Sequence, residues 1–306
     1  MAIIDNNWMR KTWTGLTSFY GAYVWSDGSN VYYSYGNSQY ILDVETGVWS
    51  TKTWSGISVP NMYGMNIWTD GATIYCANGA TQYEWIPGNE RWEFRTLGIN
   101  YVGRYVWTDG TDYYYSGDNQ MPGQCILDRD TRRWVNITWS GLSTFTGDNV
   151  WTDGTNTYYS AGSTHYVLDK ENHQWLPKVW SGLTNFSGNM IWTDGVDIYY
   201  SSNSIQYKLN KGTDTWISQT WSGYSALKGD NIWSVGDSYY YSYTSTQYEC
   251  KAAPVSAKPV YVYTNGSWEK SKSIYKRVNG EWTAGSSTVP ALQLHERVNS
   301  QWQDKT

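Results

Sequence analysis

Five aspartate-glycine pairs are the residues of this sequence that most readily suggest chemistry. Their aspartates recur 39 to 44 residues apart and could converge as metal ligands or acid catalysts: Asp27, Asp70, Asp109, Asp153 and Asp194. Asp-Gly is also the pair that tight hairpin turns favour, because those turns need positive φ angles. Val235 fills the sixth equivalent position with no evident compensation in the sequence. We therefore interpret the five aspartates as turn residues.

The three histidines, His165, His173 and His295, form no catalytic or metal-binding pattern. His173 stands at a position that varies among the repeats, with Gly47 and Arg132 among its equivalents, so we expect a solvated side chain. The sequence has no His-Glu-x-x-His pair, nucleophile elbow or phosphate loop. We predict a protein that is not an enzyme and has no metal site and no cofactor. Catalytic carboxylates outside any motif remain the alternative.

A polar residue recurs before the third strand of every repeat. These residues are Gln39, Gln82, Gln124, His165, Gln206 and Gln247. Their invariance favours a structural role, in which the side chain bridges neighbouring repeats through loop backbone. A ring of ligand contacts is the alternative.

The elements that must position these residues repeat about every 41 residues. The tryptophans of the motif Trp-Ser/Thr-Asp-Gly and its variant mark the six units: Trp25, Trp68, Trp107, Trp151, Trp192 and Trp233. A glycine precedes each of them by four residues, and a second Trp series runs in step. Each unit alternates large and polar residues between Gly-rich turns, which predicts four short strands.

The two ends of the repeat region indicate how the units close. Trp8 to Trp13 forms a lone fourth strand, and the sixth unit ends after its third strand near Cys250. Pairing the first strand into the last unit would remove the exposed sheet edges. The sequence thus predicts an all-β fold, a six-bladed β-propeller over residues 1–251 with the N-terminal strand closing the last blade. An open β-solenoid is the alternative.

The third strand and the residues after it resemble the kelch repeat. In "YILDVETGVW" (40–49) and "YVLDKENHQW" (166–175) an aliphatic-Asp pair precedes a Trp by six residues. The glycine pair of the kelch repeat is absent, so the resemblance is partial. It implies blades whose first strand lines a central channel and whose inter-strand loops bind on one face.

The C-terminal residues differ from the repeats. A Pro/Ala-rich linker at 252–259 precedes three predicted hairpins at 260–306, with tryptophans at Trp268, Trp282 and Trp302. Two-stranded hairpins are not stable alone, so we expect them to pack on a partner or on each other. Such "VNGxW" modules resemble the ends of phage and prophage structural proteins. The resemblance implies a virion protein, anchored to other virion proteins by these tryptophans.

Charge and hydropathy exclude several classes of partner. Residues 1–251 hold 15 Lys/Arg against 23 Asp/Glu, which is no footprint for nucleic acid. No apolar run approaches the roughly 20 residues of a membrane helix, so no membrane insertion is expected. The start "MAIIDNNWMRKTW" lacks the apolar stretch of a signal peptide. We expect a virion location after synthesis in the host cytoplasm.

Positions that vary among the repeats are the better candidates for a binding site. The pair after each repeat glycine varies in size and charge, and the third unit also carries a longer loop, "SGDNQMPGQC" at 116–125. Tyr and Arg are enriched at binding hot spots. Our candidate ligand contacts are Tyr101, Arg104, Tyr105, Asn119, Gln120, Met121, Asp148, Asn149 and Asp230.

These observations predict a binding protein rather than a catalyst. The propeller loops would contact a host surface protein or glycan, while the C-terminal hairpins anchor the chain in the particle. Two alternatives remain, a glycan-active lyase or hydrolase on a propeller and an intracellular kelch-like interaction scaffold. A homo-oligomer is compatible with either arrangement.

Overall fold

Six antiparallel sheets form because every unit alternates large apolar residues with polar ones. A computed structural model describes residues 6–55, 62–86, 89–117, 123–235 and 238–251, and the backbone of six strands between 261 and 304. The chain divides into two units, Met1–Ala253 and Pro254–Thr306. The first unit is the six-bladed β-propeller that the repeat predicts.

The strands of the first three blades follow two short strands at the N-terminus. Those two are β1 (Met9–Arg10) and β2 (Phe19–Tyr20). Blade 1 contains β3 (Val24–Ser26), β4 (Val31–Gly36), β5 (Ser38–Asp43) and β6 (Val48–Thr51), and β7 (Met62–Tyr63) pairs with β4. Blade 2 contains β8 (Ile67–Thr69), β9 (Ile74–Gly79), β10 (Thr81–Ile86) and β11 (Arg91–Phe94), and β12 (Tyr101–Val102) pairs with β9. Blade 3 contains β13 (Val106–Thr108), β14 (Tyr113–Ser116), β15 (Gln124–Asp128) and β16 (Arg133–Asn136).

The last three blades repeat this order. Blade 4 contains β17 (Val150–Thr152), β18 (Thr157–Ala161), β19 (Thr164–Asp169) and β20 (Gln174–Pro177). Blade 5 contains β21 (Ile191–Thr193), β22 (Ile198–Asn203), β23 (Ile205–Asn210) and β24 (Thr215–Ser218), and β25 (Leu227–Lys228) pairs with β22. Blade 6 contains β26 (Ile232–Val235), β27 (Ser238–Thr244) and β28 (Thr246–Lys251).

The N-terminal strand supplies the fourth strand of blade 6. Strand β1 pairs antiparallel with β28, with Met9 opposite Glu249 and Arg10 opposite Tyr248. Strand β2 also joins this sheet, through Phe19 opposite Thr244. Both ends of the repeat region are therefore held in one sheet, which confirms the predicted closure.

The core lies between the blades and is mostly aromatic. In each blade the Trp of the first strand stands opposite a Tyr of the second, as Trp151 does to Tyr158 with ring centroids 4.5 Å apart. Neighbouring blades add further rings, so Trp151 also packs against Trp180 and Trp216. Such pairs contribute roughly 0.5–1.5 kcal/mol each beyond the burial of their area.

Each blade begins with a three-residue 3-10 turn that starts at the repeat glycine. We call these six segments the ring turns: Gly21–Tyr23, Gly64–Asn66, Gly103–Tyr105, Gly147–Asn149, Gly188–Met190 and Gly229–Asn231. Each ring turn contacts the next, and the last contacts the first, so they form a closed ring. A Cβ atom on Gly103 would lie 1.9 Å from the carbonyl oxygen of Asn66. The ring therefore closes only with glycine at this place.

A second set of glycines joins the blades at their outer edge. The segment after a fourth strand crosses to the next blade, where Ser181 forms a parallel bridge with Thr215. Gly182, with a φ of 81°, lies so close to the carbonyl oxygen of Trp216 that a Cβ would be 2.0 Å away. The recurring "WSG" motif is thus the connection between blades.

The second unit contains three separate hairpins. They pair β29 (Tyr261–Thr264) with β30 (Ser267–Lys270), β31 (Tyr275–Val278) with β32 (Glu281–Ala284), and β33 (His295–Val298) with β34 (Gln301–Asp304). Trp268, Trp282 and Trp302 hold the same register position, opposite Tyr263, Arg277 and Arg297. These hairpins match the predicted C-terminal module.

Candidate binding site on the ring face

The variable residue pairs all lie in the ring turns, around one end of the propeller. We call this end the ring face; it comprises the ring turns and the short strands that lead into them. Arg104 and Asp148 belong to adjoining ring turns, and Asp230 lies in the turn of blade 6. The structure thus brings these three predicted contacts to one face from three blades.

A cluster of tyrosines occupies the ring face where blades 6, 1 and 2 meet. The tyrosine cluster consists of Tyr20, Tyr23, Tyr35, Tyr63 and Tyr243. Neighbouring ring centroids are 4.8–6.0 Å apart and most pairs meet edge to face. Tyr35 is 44 % exposed, and the other four are half-buried. Tyrosines arranged in this way provide a large, rigid contact surface with polar hydroxyl groups.

The pairing of the short strands builds this cluster. Tyr243 lies opposite Tyr20 through β27 and β2, and Tyr35 lies opposite Tyr63 through β4 and β7. Tyr23 contacts both pairs from the first ring turn. Burial and the neighbouring tyrosine hydroxyls raise the pKa of Tyr23, so this phenol stays neutral at physiological pH. This cluster was not predicted from the sequence, although Tyr35 and Tyr243 stand where the other four blades have Asn, Gly, Ala or Ser.

Charged groups surround the cluster. The Lys228 ammonium lies 4.2 Å from the centroid of the Tyr243 ring, and the Arg104 guanidinium lies 4.6 Å from that of Tyr105. These cation–π contacts hold both cations at the ring face. Partial burial of its carboxylate raises the pKa of Asp230, and the Asn231 amide, which donates to that carboxylate at 2.7 Å, opposes the shift. The site therefore combines aromatic surface with charges of both signs.

Three asparagines of the ring turns carry polar atoms that are not used by the scaffold. The side-chain oxygens of Asn66, Asn149 and Asn231 are buried and have no hydrogen-bond partner within the described residues. Asn149 donates to Thr146 and Asp148 through its other side-chain atom. Because buried polar atoms are normally paired, these oxygens are candidate acceptors for a ligand.

Tyr101 and Tyr105, two further predicted contacts, are buried. Tyr101 is fully buried, and the indole Nε1 of Trp68 donates to its hydroxyl at 3.3 Å. In the other blades the equivalent indole donates to a serine, but blade 2 has Ala77 at that position. Tyr101 therefore compensates for a missing serine hydroxyl, and it presents no accessible surface to a ligand. Of the third-unit candidates that the structure describes, Arg104 is the exposed one.

The repeated aspartates act as turn residues. Asp153 accepts backbone N–H bonds from Thr155 and Asn156, and its second oxygen accepts the hydroxyl of Tyr158 at 3.0 Å. Burial raises the pKa of Asp153, but these hydrogen bonds outweigh it and the net shift is downward.

The expectation that Val235 lacks compensation is wrong. In blade 6 the hydroxyl of Tyr240 donates to Glu249 at 3.3 Å instead of to a turn aspartate. Glu249 stands directly opposite Tyr240 in the sheet, so the neighbouring strand supplies the missing acceptor.

The repeated glutamines bond loop backbone, as the structural interpretation requires. The Gln82 amide donates to the carbonyl of Ile99 at 2.6 Å, and the Gln124 amide donates to that of Phe145 at 3.2 Å. His165 occupies this position in blade 4, where its Nε2 bonds the Thr184 carbonyl at 3.0 Å. The partners of these three side chains lie in the segments that enter the next blade, so they link blades. Gln39 and Gln247 instead donate to carbonyls of their own hairpins, at Gly36 and Thr244.

Some predicted contacts lie outside the described residues, namely Asn119, Gln120 and Met121. Within the part of the chain that the structure describes, no group of three or more His, Cys, Asp or Glu side chains is placed to hold a metal ion. No helix of the described residues is long and apolar enough to cross a membrane.

The fold and the site define a six-bladed β-propeller with an aromatic surface on its ring face. The chain is similar to the extracellular domain of BT4673 from B. thetaiotaomicron, named as a one-component system in one crystal structure and a hybrid two-component system in another. Both are 10% identical to this chain, with TM-scores of 0.53 and 0.52. They cover 80% and 84% of this chain, which spans 40% and 41% of theirs. At this identity the likeness extends to the fold alone.

No protein-family model matches the chain, and no curated protein matches it. The similarity to kelch repeats and to phage structural proteins therefore stays a resemblance of short motifs.

Proposed function

We propose that this chain is a non-catalytic binding protein that holds a surface carbohydrate on its ring face. The tyrosine cluster is the observation that carries the proposal. The faces of sugar rings carry C–H groups that pack on aromatic rings, while the tyrosine hydroxyls and nearby charged groups bond sugar hydroxyls. Tyr35 and Tyr63 belong to the cluster and lie opposite each other at the edge of blade 1.

The polar surroundings of the cluster favour a glycan over an apolar ligand. Arg104 and Asp230 are exposed in the ring turns, and Lys228 lies against Tyr243. The unpaired oxygens of Asn149 and Asn231 add acceptors next to them. Specific polar groups around an aromatic surface fix the orientation of a ligand and select among similar ones.

The setting of this binding is also a proposal. The extracellular domain of BT4673 has this fold, so such propellers occur outside bacterial cells. The hairpins at 260–306 resemble modules of phage structural proteins, which supports a virion-attached propeller that contacts a host surface. Trp268, Trp282 and Trp302 would anchor the chain to other virion proteins. The triple variant Trp268→Ser, Trp282→Ser and Trp302→Ser should be lost from virus particles. If it stays on particles as firmly as the wild type, this anchoring is contradicted.

Substitutions taken from other blades test the carbohydrate site. Tyr35→Ser and Tyr63→Ser introduce the residues that blades carry elsewhere, at Ser202 and Ser187, so the fold should tolerate them. We expect at least a tenfold loss of affinity for glycans captured on an array, equal to about 1.4 kcal/mol. Tyr113→Thr is the matched control, because Tyr113 lies beside an Asp-Gly turn away from the ring face.

Three results would contradict the proposal. The first is the absence of glycan binding by correctly folded wild-type protein, and the second is unchanged binding in both ring-face variants. The third is cleavage of a bound glycan during incubation, measured by product release, which would instead favour an enzyme.

A further inference from the structure

The outer edge between blades 2 and 3 departs from the repeat and contains a pocket. The pocket has a volume of about 260 Å³ and is lined by Tyr75, Glu84, Arg95, Leu97, Arg132 and Arg133. Ligand pockets for drug-sized molecules measure roughly 300–1,000 Å³, so this pocket suits one small ring. We call it the arginine pocket.

A missing tryptophan creates the space. Between blades 4 and 5, Trp180 packs with its ring centroid 5.1 Å from that of Tyr158, and Lys178 lies 4.8 Å from the same indole. Tyr75 and Arg95 hold the positions of Tyr158 and Lys178 in blade 2. Leu97 stands in place of the tryptophan. Gly98 follows it directly, so this connection is one residue shorter than the Trp-Ser-Gly connection at Trp180.

The charge at this edge is also reversed. At two other edges a lysine reaches an acid of the next blade: Lys52 reaches Glu90 and Lys178 reaches Asp214, each at 2.5 Å. Arg132 replaces those acids here and has the same left-handed backbone conformation, with a φ of 52°. Two cations therefore face each other where the edges after blades 1 and 4 pair a cation with an acid.

One carboxylate separates the arginines without neutralising them. Glu84 is 9% exposed and accepts hydrogen bonds from Arg95 Nε at 3.1 Å and Arg132 Nη1 at 3.3 Å. Arg95 also bonds Glu93 on the outer strand. Arg132 has one bond in this arrangement, and Arg133 lines the pocket beside it, so guanidinium groups remain for an anion.

Arginine itself is concentrated in this part of the propeller. Six of the seven arginines of residues 1–251 lie in blades 2 and 3 and their connection: Arg91, Arg95, Arg104, Arg129, Arg132 and Arg133. Their planar, forked guanidinium groups match the two oxygens of a carboxylate better than lysine does. Thr96 and Thr131 add hydroxyl groups to the lining, which suits an acid that also carries hydroxyls.

We propose that the arginine pocket binds a sugar acid, a single pyranose ring that carries a carboxylate. Arg132 and Arg133 receive the carboxylate, and the ring occupies the volume that an indole fills at the other blade edges. This site is separate from the ring face and does not depend on the function proposed there.

Calorimetric titration of the full chain with glucuronate tests the proposal. Glucuronate should bind at least tenfold more tightly than glucose, which lacks the carboxylate, and than propionate, which lacks the ring. Equal affinity for glucose or propionate would overturn it. The methyl glycoside of glucuronate mimics the end of a glycan chain, whereas glucuronate itself represents the free acid. Comparing their affinities distinguishes these two sources, and tight binding of either supports the sugar-acid site.

Two variants restore the pattern of the other blades at the arginine pocket. Arg132→Glu introduces the acid found at Glu90, and Leu97→Trp with a serine inserted before Gly98 recreates the "WSG" motif. Each should lower the affinity for glucuronate at least tenfold while circular dichroism and thermal unfolding show an intact fold. If the insertion variant fails to fold, the test rests on Arg132→Glu alone. An unchanged affinity of Arg132→Glu for glucuronate would then overturn the proposal.

Two control variants test whether the arginine pocket itself holds the acid. Trp180→Leu opens space at an edge that retains Asp214, and it should add no second glucuronate site. Tyr35→Ser should leave glucuronate binding unchanged, since it alters only the ring face. Loss of glucuronate binding in Tyr35→Ser with no loss in Arg132→Glu would place the acid on the ring face and overturn the arginine pocket.

Discussion

Removing the hydroxyl of Tyr101 should destabilise the propeller, and adding a hydroxyl at residue 77 should repair the loss. In five blades the first-strand indole donates to a serine nine residues later at 2.9–3.0 Å. In blade 2 that position is Ala77, and Trp68 donates to Tyr101 at 3.3 Å. Tyr101→Phe introduces the ring found at Phe19 and Phe145, so the packing should be kept while the indole loses its acceptor.

The geometry sets the size of the effect. A buried donor left unpaired costs about 1–3 kcal/mol, and the long 3.3 Å bond favours the lower end, about 1–1.5 kcal/mol. For a domain of this size each kcal/mol moves the unfolding midpoint by about 2–4 °C, so we expect a decrease of about 2–6 °C. Ala77→Ser should recover most of it, because a serine fills this position in the other five blades.

A double-mutant cycle measures the coupling. The wild type, Tyr101→Phe, Ala77→Ser and the double variant are unfolded with urea and followed by tryptophan fluorescence. A coupling energy of about 1 kcal/mol is expected, with the double variant more stable than Tyr101→Phe. The reasoning is refuted if Tyr101→Phe is as stable as the wild type. It is equally refuted if Ala77→Ser changes the stability of both backgrounds by the same amount.

Two further predictions concern the ring and the interblade links. Gly103→Ala should lower the free energy of unfolding by about 3 kcal/mol or more, since the new Cβ would lie 1.9 Å from the Asn66 carbonyl oxygen. Gly123→Ala is the control, because a Cβ there would have no atom within 4 Å. An equal urea midpoint for the two variants would contradict the close approach at Gly103. Burial lowers the pKa of His165 below its ordinary value of 6.5, so its contribution to stability is present above that pH and lost as the pH falls through the folded pKa. His165→Gln should therefore lose less stability than the wild type when the pH falls from 7.5 to 5.5. An equal decrease in unfolding midpoint for the two proteins would refute this.

The architecture was predictable because its signals are local and repeated. The Trp and Gly spacings identify the six blades, and the lone strand at Trp8–Trp13 identifies how they close. The role of the repeat glycine as a close backbone contact was not predictable, because the carbonyl it touches belongs to the preceding blade.

The binding surface was only partly predictable. The variation of the ring-turn pairs pointed to Arg104, Asp148 and Asp230, which the structure gathers on one face. The tyrosine cluster escaped because its members come from distant segments, such as Tyr20 and Tyr243, and meet only through the register of β2 with β27. Comparison of Tyr35 and Tyr243 with their small equivalents in the other four blades could have indicated it.

A departure from the repeat is evidence of function only where the scaffold does not explain it. Ala77 departs from the serine of its equivalents, yet Tyr101 supplies the missing hydroxyl. Val235 departs from the turn aspartate, yet Glu249 takes over the tyrosine hydroxyl. Both changes leave the interior satisfied, so neither requires a ligand.

Leu97 and Arg132 are departures of the other kind. Nothing within the described residues fills the volume of the lost indole, and one carboxylate, Glu84, is shared by the guanidinium groups of Arg95 and Arg132. A purely structural change would be expected to shrink the cavity or restore the acid, because cavities and like charges both cost stability. Since both costs persist at one edge of a propeller whose other edges avoid them, selection for a ligand is the simplest physical account of the arginine pocket.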